Sequence, residues 1–197
     1  MGLILNNLGT ALEALGRLEE ARGHYQEAVT IARELGQRSS WSLRLSNLGL
    51  VCGLLGEVEA ALAPLETAAA TTRELADPLL EVAAELELVR LLRRRGSSPH
   101  ELLPRARAVV RLATMAGARV DWVEAHCELG HLLLAGGMPA SPVLAELRAA
   151  LGAETLAALP EESAPARLLR AQSASERGAP LIAGECPEDL PERLRDR

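Results

Sequence analysis

The sequence predicts an all-α protein, a right-handed solenoid (superhelix) of antiparallel helix pairs with about four repeats. Three observations lead there. The first is a period of forty residues: Asn7-Leu8-Gly9 returns as Asn47-Leu48-Gly49, Leu15-Gly16 as Leu55-Gly56, Ala21 as Ala61, Ala28 as Ala68, and Arg33-Glu34-Leu35 as Arg73-Glu74-Leu75. The second is composition. The chain is 48% hydrophobic, yet it has no Phe, one Tyr and two Trp. Leu and Ala therefore carry the apolar content, and small Ala beside Leu suits close packing of helices. The third is spacing. Within each period the apolar residues fall three and four apart, which places them on one face of an α-helix.

The elements follow in chain order. Leu5, Leu8, Leu12 and Leu15 mark helix A of the first repeat, and Leu18, Ala21, Tyr25, Ala28, Ala32 and Leu35 mark its helix B. In the second repeat the same faces read Leu45, Leu48, Cys52 and Leu55, then Val58, Ala61, Leu65, Ala68, Thr72 and Leu75. Gly16 and Gly56 stand between A and B, each after a Leu, where a left-handed residue ends a helix. In the third repeat Asp77-Pro78 opens helix A, and Ser98-Pro99 followed by Glu101 opens helix B, a capping-box signal. That copy keeps the period through Gly96, Leu102, Pro104, Ala108 and Met115, matched to Gly56, Leu62, Pro64, Ala68 and Leu75. The fourth copy begins near Asp121, slipped by one residue: Leu129-Gly130 follows Leu48-Gly49, and Trp122 follows Trp41, at eighty-one. Ser141-Pro142 opens its last helix, with Leu144, Leu147 and Leu151 as a short stripe that Gly152 weakens. The repeat domain thus spans 1–159, divided as 2–36, 40–76, 78–116 and 120–159. Residues 160–197 read as a Pro- and charge-rich tail, interrupted by Pro160, Pro165, Pro180, Pro187 and Pro191, with one short helix over 164–177 placed to cap the last repeat.

Charge and cysteine usage narrow the function. The formal net charge of -6 argues against a general nucleic-acid binder, which needs a basic face. Cys52, Cys127 and Cys186 are odd in number and far apart, with neither a disulfide framework nor zinc spacing. No apolar run approaches membrane-spanning length and no leader pattern opens the chain, so a cytoplasmic protein without membrane contact is expected. No nucleophile elbow, phosphate-binding loop or dinucleotide fingerprint is present, and a non-catalytic protein without a cofactor or metal is expected.

Leu8-Gly9, Leu12, Gly16, Ala21, Tyr25 and Ala28 match the spacing of the tetratricopeptide repeat, and Leu48-Gly49, Cys52, Gly56, Ala61, Leu65 and Ala68 match it again. The third copy keeps Leu88, Leu92, Gly96 and Ala108 but has Glu101 where the pattern has Ala. Residues 2–159 resemble the long form of that repeat. The family proline near the end of helix B is replaced by Arg33 and Arg73, which lets the helix run on. Arrays of this length resemble those of kinesin light chains and of bacterial multidomain regulators.

The resemblance implies a concave groove lined by helix A residues that binds a peptide or partner protein. Carried over by position, that face holds Asn6, Asn7, Thr10 and Glu13 in the first repeat and Ser46, Asn47 and Leu50 in the second. The third contributes Glu87, Arg90, Arg93 and Arg94, the fourth Glu124, Glu128 and His131. Asn can both donate to and accept from a peptide backbone. The arginine cluster reads either as a grip on carboxylates or as a solvated helix end favoured by the C-terminal dipole. Asp121, Glu124, Glu128 and His131 share one helical face and read as a polar face, with metal binding as the sharper alternative. The alternative function is a C-terminal sensory or regulatory segment of a larger bacterial signalling protein. The first helix begins at Met1 with Leu3, Ile4, Leu5 and Leu8 and has no capping helix before it, so self-association through that end is a further expectation.

Overall fold

The computed structural model describes residues 1–152, 160 and 163–176. The described residues form nine helices and no strand: α1 Gly2–Ala14, α2 Leu18–Glu34, α3 Arg38–Leu54, α4 Val58–Glu74, α5 Pro78–Arg94, α6 Pro99–Ala116, α7 Arg119–Ala135, α8 Ser141–Leu151 and α9 Ala164–Glu176. They divide into two units, Met1–Gly96 and Ser97–Arg197.

In the first unit, α1 packs on α2, α2 on α3, α3 on α4 and α4 on α5. The core repeats as the sequence does. Leu12, Ala21, Tyr25 and Val51 form one buried cluster, with Leu48 against it. Forty residues on, Cys52, Ala61, Leu65 and Leu91 form the next, together with Leu88. α3 is therefore covered on one side by its own helix B, α4, and lays its other side on the preceding pair. Gly9 and Gly49 set the depth of that packing. A Cβ on Gly9 would stand 2.7 Å from Tyr25 Cε1, and one on Gly49 would stand 2.4 Å from Leu65 Cγ. The large helix B residue thus occupies the space where helix A has no side chain.

Helix ends follow from the same period. α1 closes with Arg17 N–H donating to the Leu12 carbonyl at 2.9 Å and Gly16 N–H to that of Glu13 at 2.9 Å. This is a Schellman closure around a left-handed residue, with Gly16 at φ 73°. The same pair of bonds closes α2 at Gly36, α3 at Gly56, α6 at Gly117 and α7 at Gly137. At the end of α4 the position falls on Ala76, which takes φ 53°. Arg33 and Arg73 do let helix B continue, since α2 and α4 run to Glu34 and Glu74. Arg73 turns toward α5 and pairs with Glu81 at 3.0 Å and Glu85 at 2.6 Å. Asp77 caps α5 by accepting from Leu80 N–H.

In the second unit, α7 packs on α6, α8 and α9. Ser98 and Glu101 form the full capping box of α6. The register of α6 departs from the sequence reading. Ala108 and Met115 are exposed, and the buried face, beside Leu103, is formed by the four residues Leu102, Ala106, Val109 and Ala113. Those four stand forty-one residues after Ala61, Leu65, Ala68 and Thr72. Gly96 still stands forty after Gly56, so the extra residue enters between Gly96 and Leu102, at the cap of α6. The slip seen at Gly130 is inherited from that turn.

The helix that fills the notch of α7 is α9. A Cβ on Gly130 would stand 2.5 Å from Leu168 Cδ2, and Leu168 is fully buried. Ala164, Leu168 and Ala171 repeat the spacing of Ala21, Tyr25 and Ala28. Thus α9 stands to α7 as α2 stands to α1, and α8 is an additional helix between them. α8 buries Val143, Leu144 and Leu147. Ser141 is its first helical residue and does not cap it. The Gln172 side chain of α9 accepts from Ala140 N–H at 2.9 Å. Of the tail, residues 177–197 and Cys186 lie outside the described residues.

Two substitutions test this account by urea unfolding. Gly49→Ala is expected to cost about 1–3 kcal/mol through overpacking against Leu65, with part recovered by adding Leu65→Val. Ala76→Gly is expected to stabilise the chain by about 0.5–1 kcal/mol, the relief of a left-handed Ala less the entropy that Gly adds to the unfolded chain. An unchanged midpoint for either would contradict the corresponding packing or turn assignment.

Candidate functional site

The helix A residues of the first unit form a linked polar strip. Asn47 of α3 donates through Nδ2 to Asn6 Oδ1 of α1 at 3.0 Å. Thr10 returns its hydroxyl to the Asn6 carbonyl at 3.1 Å. The Tyr25 hydroxyl donates to Glu13 Oε2 at 2.8 Å and lies 3.2 Å from Thr10 Oγ1. Burial pushes the Tyr25 phenol well above its ordinary range, with the Glu13 carboxylate adding to the effect. It therefore stays a neutral donor and fixes Glu13 and Thr10 from below.

The predicted residues divide by what remains available. Asn6 is buried and Asn7 is exposed, so the residue that reaches the neighbouring helix is the first Asn of the pair. Ser46 is buried, with its hydroxyl donating back to the Ser42 carbonyl at 3.2 Å. Asn47 and Leu50 are half-buried. After its bond to Asn6, Asn47 keeps a carbonyl oxygen and a second amide hydrogen. On α5, Arg90 and Glu87 pair with each other, and both are further engaged, as are Arg93 and Arg94. Arg94 lies across Gly53 of α3, its Nη1 only 2.9 Å from where a Cβ would stand. The arginine cluster is thus built into the unit's own packing.

In the second unit, Glu128 is fully buried, Glu124 and His131 are half-buried, and each has a partner. His131 donates from Nδ1 to the Cys127 carbonyl at 2.8 Å. No group of three or more His, Cys, Asp or Glu among the described residues is placed to hold a metal ion. Cys52 sits in the core, where burial pushes its thiol up and away from nucleophilic use. A cleft of about 730 Å³ opens beside Val120, Trp122, Leu151 and Pro165, with Arg119 and Glu124 on its lining. Its described lining pairs no nucleophile with a base.

The sequence reading missed two features. His126 is buried on α7, its ring packed at a tilt of 41° on Trp122 with 3.8 Å between ring centroids. Its Nδ1 donates to the Trp122 carbonyl, and its Nε2 lies 2.9 Å from Glu146 Oε2 of α8. His126 stands one turn after Trp122 on the same helix, and that spacing was the available signal. The second feature is Arg44, buried beneath α1. Its forty-residue counterparts Ile4 and Ala84 are apolar, and that mismatch was legible.

Comparison with known proteins agrees with this geometry. Residues 1–74 match the tetratricopeptide repeat family. A kinesin-light-chain-type protein of Podosopora anserina with nearly identical TPR-like repeats is 19% identical at a TM-score of 0.66, covering 97% of this chain and 91% of that one. A second structure of those repeats is likewise 19% identical at 0.66, with 92% of that chain covered. No curated protein matches. No helix among the described residues is long and apolar enough to cross a membrane. Residues 1–74 are thus similar to the tetratricopeptide repeat family, and the described helices have the helix-pair fold of TPR-like repeat proteins.

Proposed function

We propose that this protein is a non-catalytic interaction module whose first unit holds an extended peptide or partner segment along the strip formed by Asn6, Thr10, Glu13, Asn47 and Leu50. The observation that supports this reading most directly is the Asn6–Asn47 bridge between adjacent helix A elements. It orients the Asn47 amide with one donor and one acceptor unused, the pair that an extended backbone satisfies. Leu50 lies three residues further on the same helix and offers an apolar contact. The restrained Glu13 carboxylate supplies an acceptor with little conformational entropy to lose on binding. Charge steering contributes less here, since the arginines of α5 are committed within the fold.

Self-association of the first repeat is a second reading, favoured by one observation. Met1, Ile4, Leu8 and Leu15 are 80%, 66%, 43% and 69% exposed along one stripe of α1. The equivalent stripe of α3 passes through Leu48 and Val51 and is laid on the preceding pair. A second copy would cover α1 in the same manner.

Two measurements separate these readings. Asn47→Asp with Leu50→Glu is expected to remove the partners captured by the wild-type chain from its source cell while leaving helicity unchanged; an unaltered bound set would sink the groove assignment. Sedimentation of the wild type is expected to show a concentration-dependent dimer that Leu8→Glu abolishes, and a monomer throughout would remove the second reading.

A further inference from the structure

Arg44 carries a charge that the first unit does not balance. The residue is 5% exposed, and its Nη1 is buried with no hydrogen-bond partner. No described carboxylate pairs with it, in contrast to Arg22, Arg38 and Arg73, which pair with Glu57, Glu74 and Glu85. One turn earlier on the same helix, the indole nitrogen of Trp41 is likewise buried without an acceptor. An ionised guanidinium removed from water without a partner is unfavourable, so a compensating anion is called for.

The guanidinium lies against the first turn of α1. Its Cζ and Nη1 stand 3.3 and 3.4 Å from where a Cβ on Gly2 would be. Gly2 is the first residue of that helix, and the first intrahelical bond runs from Leu5 N–H to the Met1 carbonyl. The N–H groups before Leu5 have no partner within the helix. No side chain caps α1, and its first turn holds no acidic residue. Elsewhere in the unit α2, α4 and α5 carry Glu19, Glu59 and Glu81 in that turn. A helix N-terminus and a buried cation thus converge where the described residues supply no negative charge. Around this point Met1, Leu3 and Ile4 are 80%, 65% and 66% exposed.

We propose that this is a docking site for an acidic side chain carried on an apolar segment of a partner protein. The carboxylate takes the Arg44 guanidinium and the first-turn N–H groups of α1, and the apolar neighbours of that acid cover Leu3 and Ile4. A carboxylate suits the forked guanidinium, and the apolar rim selects an acid flanked by apolar side chains over a free hydrated anion. The site is distinct from the Asn6–Asn47 strip, and its test does not depend on that strip.

The test uses the full chain and three probes at matched ionic strength: sodium acetate, inorganic phosphate, and the capped tripeptide Ac-Leu-Glu-Leu-NH2, with its Gln analogue as control. The readout is the Arg44 Nε–H resonance, assigned by its loss in Arg44→Met. A saturable shift is expected with the Glu tripeptide at about tenfold lower concentration than with acetate, because part of a leucine side chain is buried as well, and no saturation is expected with the Gln analogue. A linear shift equal to that of chloride would overturn the site. Saturation by phosphate below the Glu tripeptide would overturn the acidic-segment occupant. Independently, Arg44→Met is expected to raise Tm when no carboxylate is present, because it removes an unpaired buried charge at similar volume, whereas a lowered Tm would mean that Arg44 is held by bonds within the fold. Leu3→Asp, which supplies a carboxylate from α1 itself, is expected to raise Tm in the wild type and not in Arg44→Met; equal effects in both would place the new acid on the helix dipole alone and refute the pairing.

Discussion

The missing side chain on helix A is the constraint on which the remaining structure depends. At Gly9, Gly49 and Gly130 the helix surface has a notch, and Tyr25, Leu65 and Leu168 occupy the space that a Cβ there would need. A glycine inside a helix costs roughly 1 kcal/mol against alanine, and the return is close approach of two backbones with a large buried side chain locked between them. Everything else in a pair follows from that approach. The flanking alanines at 21, 28, 61 and 68 have to be small because the helices are near, and all four are fully buried. The tight turn has to be short and left-handed because the helix ends are held close. Once one notch is filled, the next helix A meets a surface of fixed shape, and the cluster around Tyr25 repeats around Leu65 with each member moved forty residues on.

The same constraint explains why the polar strip is ordered by the fold itself. Tyr25 fills the notch with its ring and reaches the far edge with its hydroxyl, where Glu13 and Thr10 stand. Leu65 occupies the equivalent place in the second pair and has no such hydroxyl, and Leu50 and Gly53 stand there in place of Thr10 and Glu13; the polar contact of that pair is the Asn47 bond to Asn6 of α1. Packing and the placement of polar groups are therefore coupled in the first pair by one aromatic residue, the only tyrosine of the chain. A residue chosen to fill space also determines where a carboxylate is presented.

What the sequence disclosed and what it hid can be argued from particular residues. The period placed Gly9, Tyr25, Gly49 and Leu65 correctly because each pair is contained in forty residues and both copies keep it. It misplaced the buried face of α6 because that helix is rich in small residues. Ala106 and Ala108 offer two registers of similar local merit, and the choice between them is made by what packs on the helix, not by spacing within it. It read α8 as the last helix B because α8 comes next in the chain. The helix that fills Gly130 begins at Ala164, thirty-four residues after that glycine, whereas Ala21 and Ala61 follow theirs by twelve. An inserted helix breaks the period while leaving the notch and its filler intact. Among the site residues, position on helix A was legible, but engagement was not. Arg93, Arg94, Glu124, Glu128 and His131 lie on the expected helices and have partners within the protein, and no rule of spacing distinguishes a committed arginine from an available one.

Repeat symmetry also gives meaning to departures from it. In a solenoid each helix A position faces the same kind of neighbour in every copy, so a residue that differs in chemistry from its counterparts is answering something local. Ala84 and Val51 are apolar where they meet the preceding pair, as that environment requires. Arg44 occupies the same kind of surface with a charge, and its surroundings are α1, a helix end and Ile31. Neither hydrophobic burial nor pairing within the unit accounts for it, and the dipole of α1 opposes it, since the positive end of that helix is the end it meets. Two positive features held together in a poorly solvated place raise the free energy of the unliganded chain. The same arrangement deepens the well for an incoming anion, because the unfavourable desolvation of the guanidinium has already been incurred before binding. Stability given up in the free protein in this way reappears as affinity.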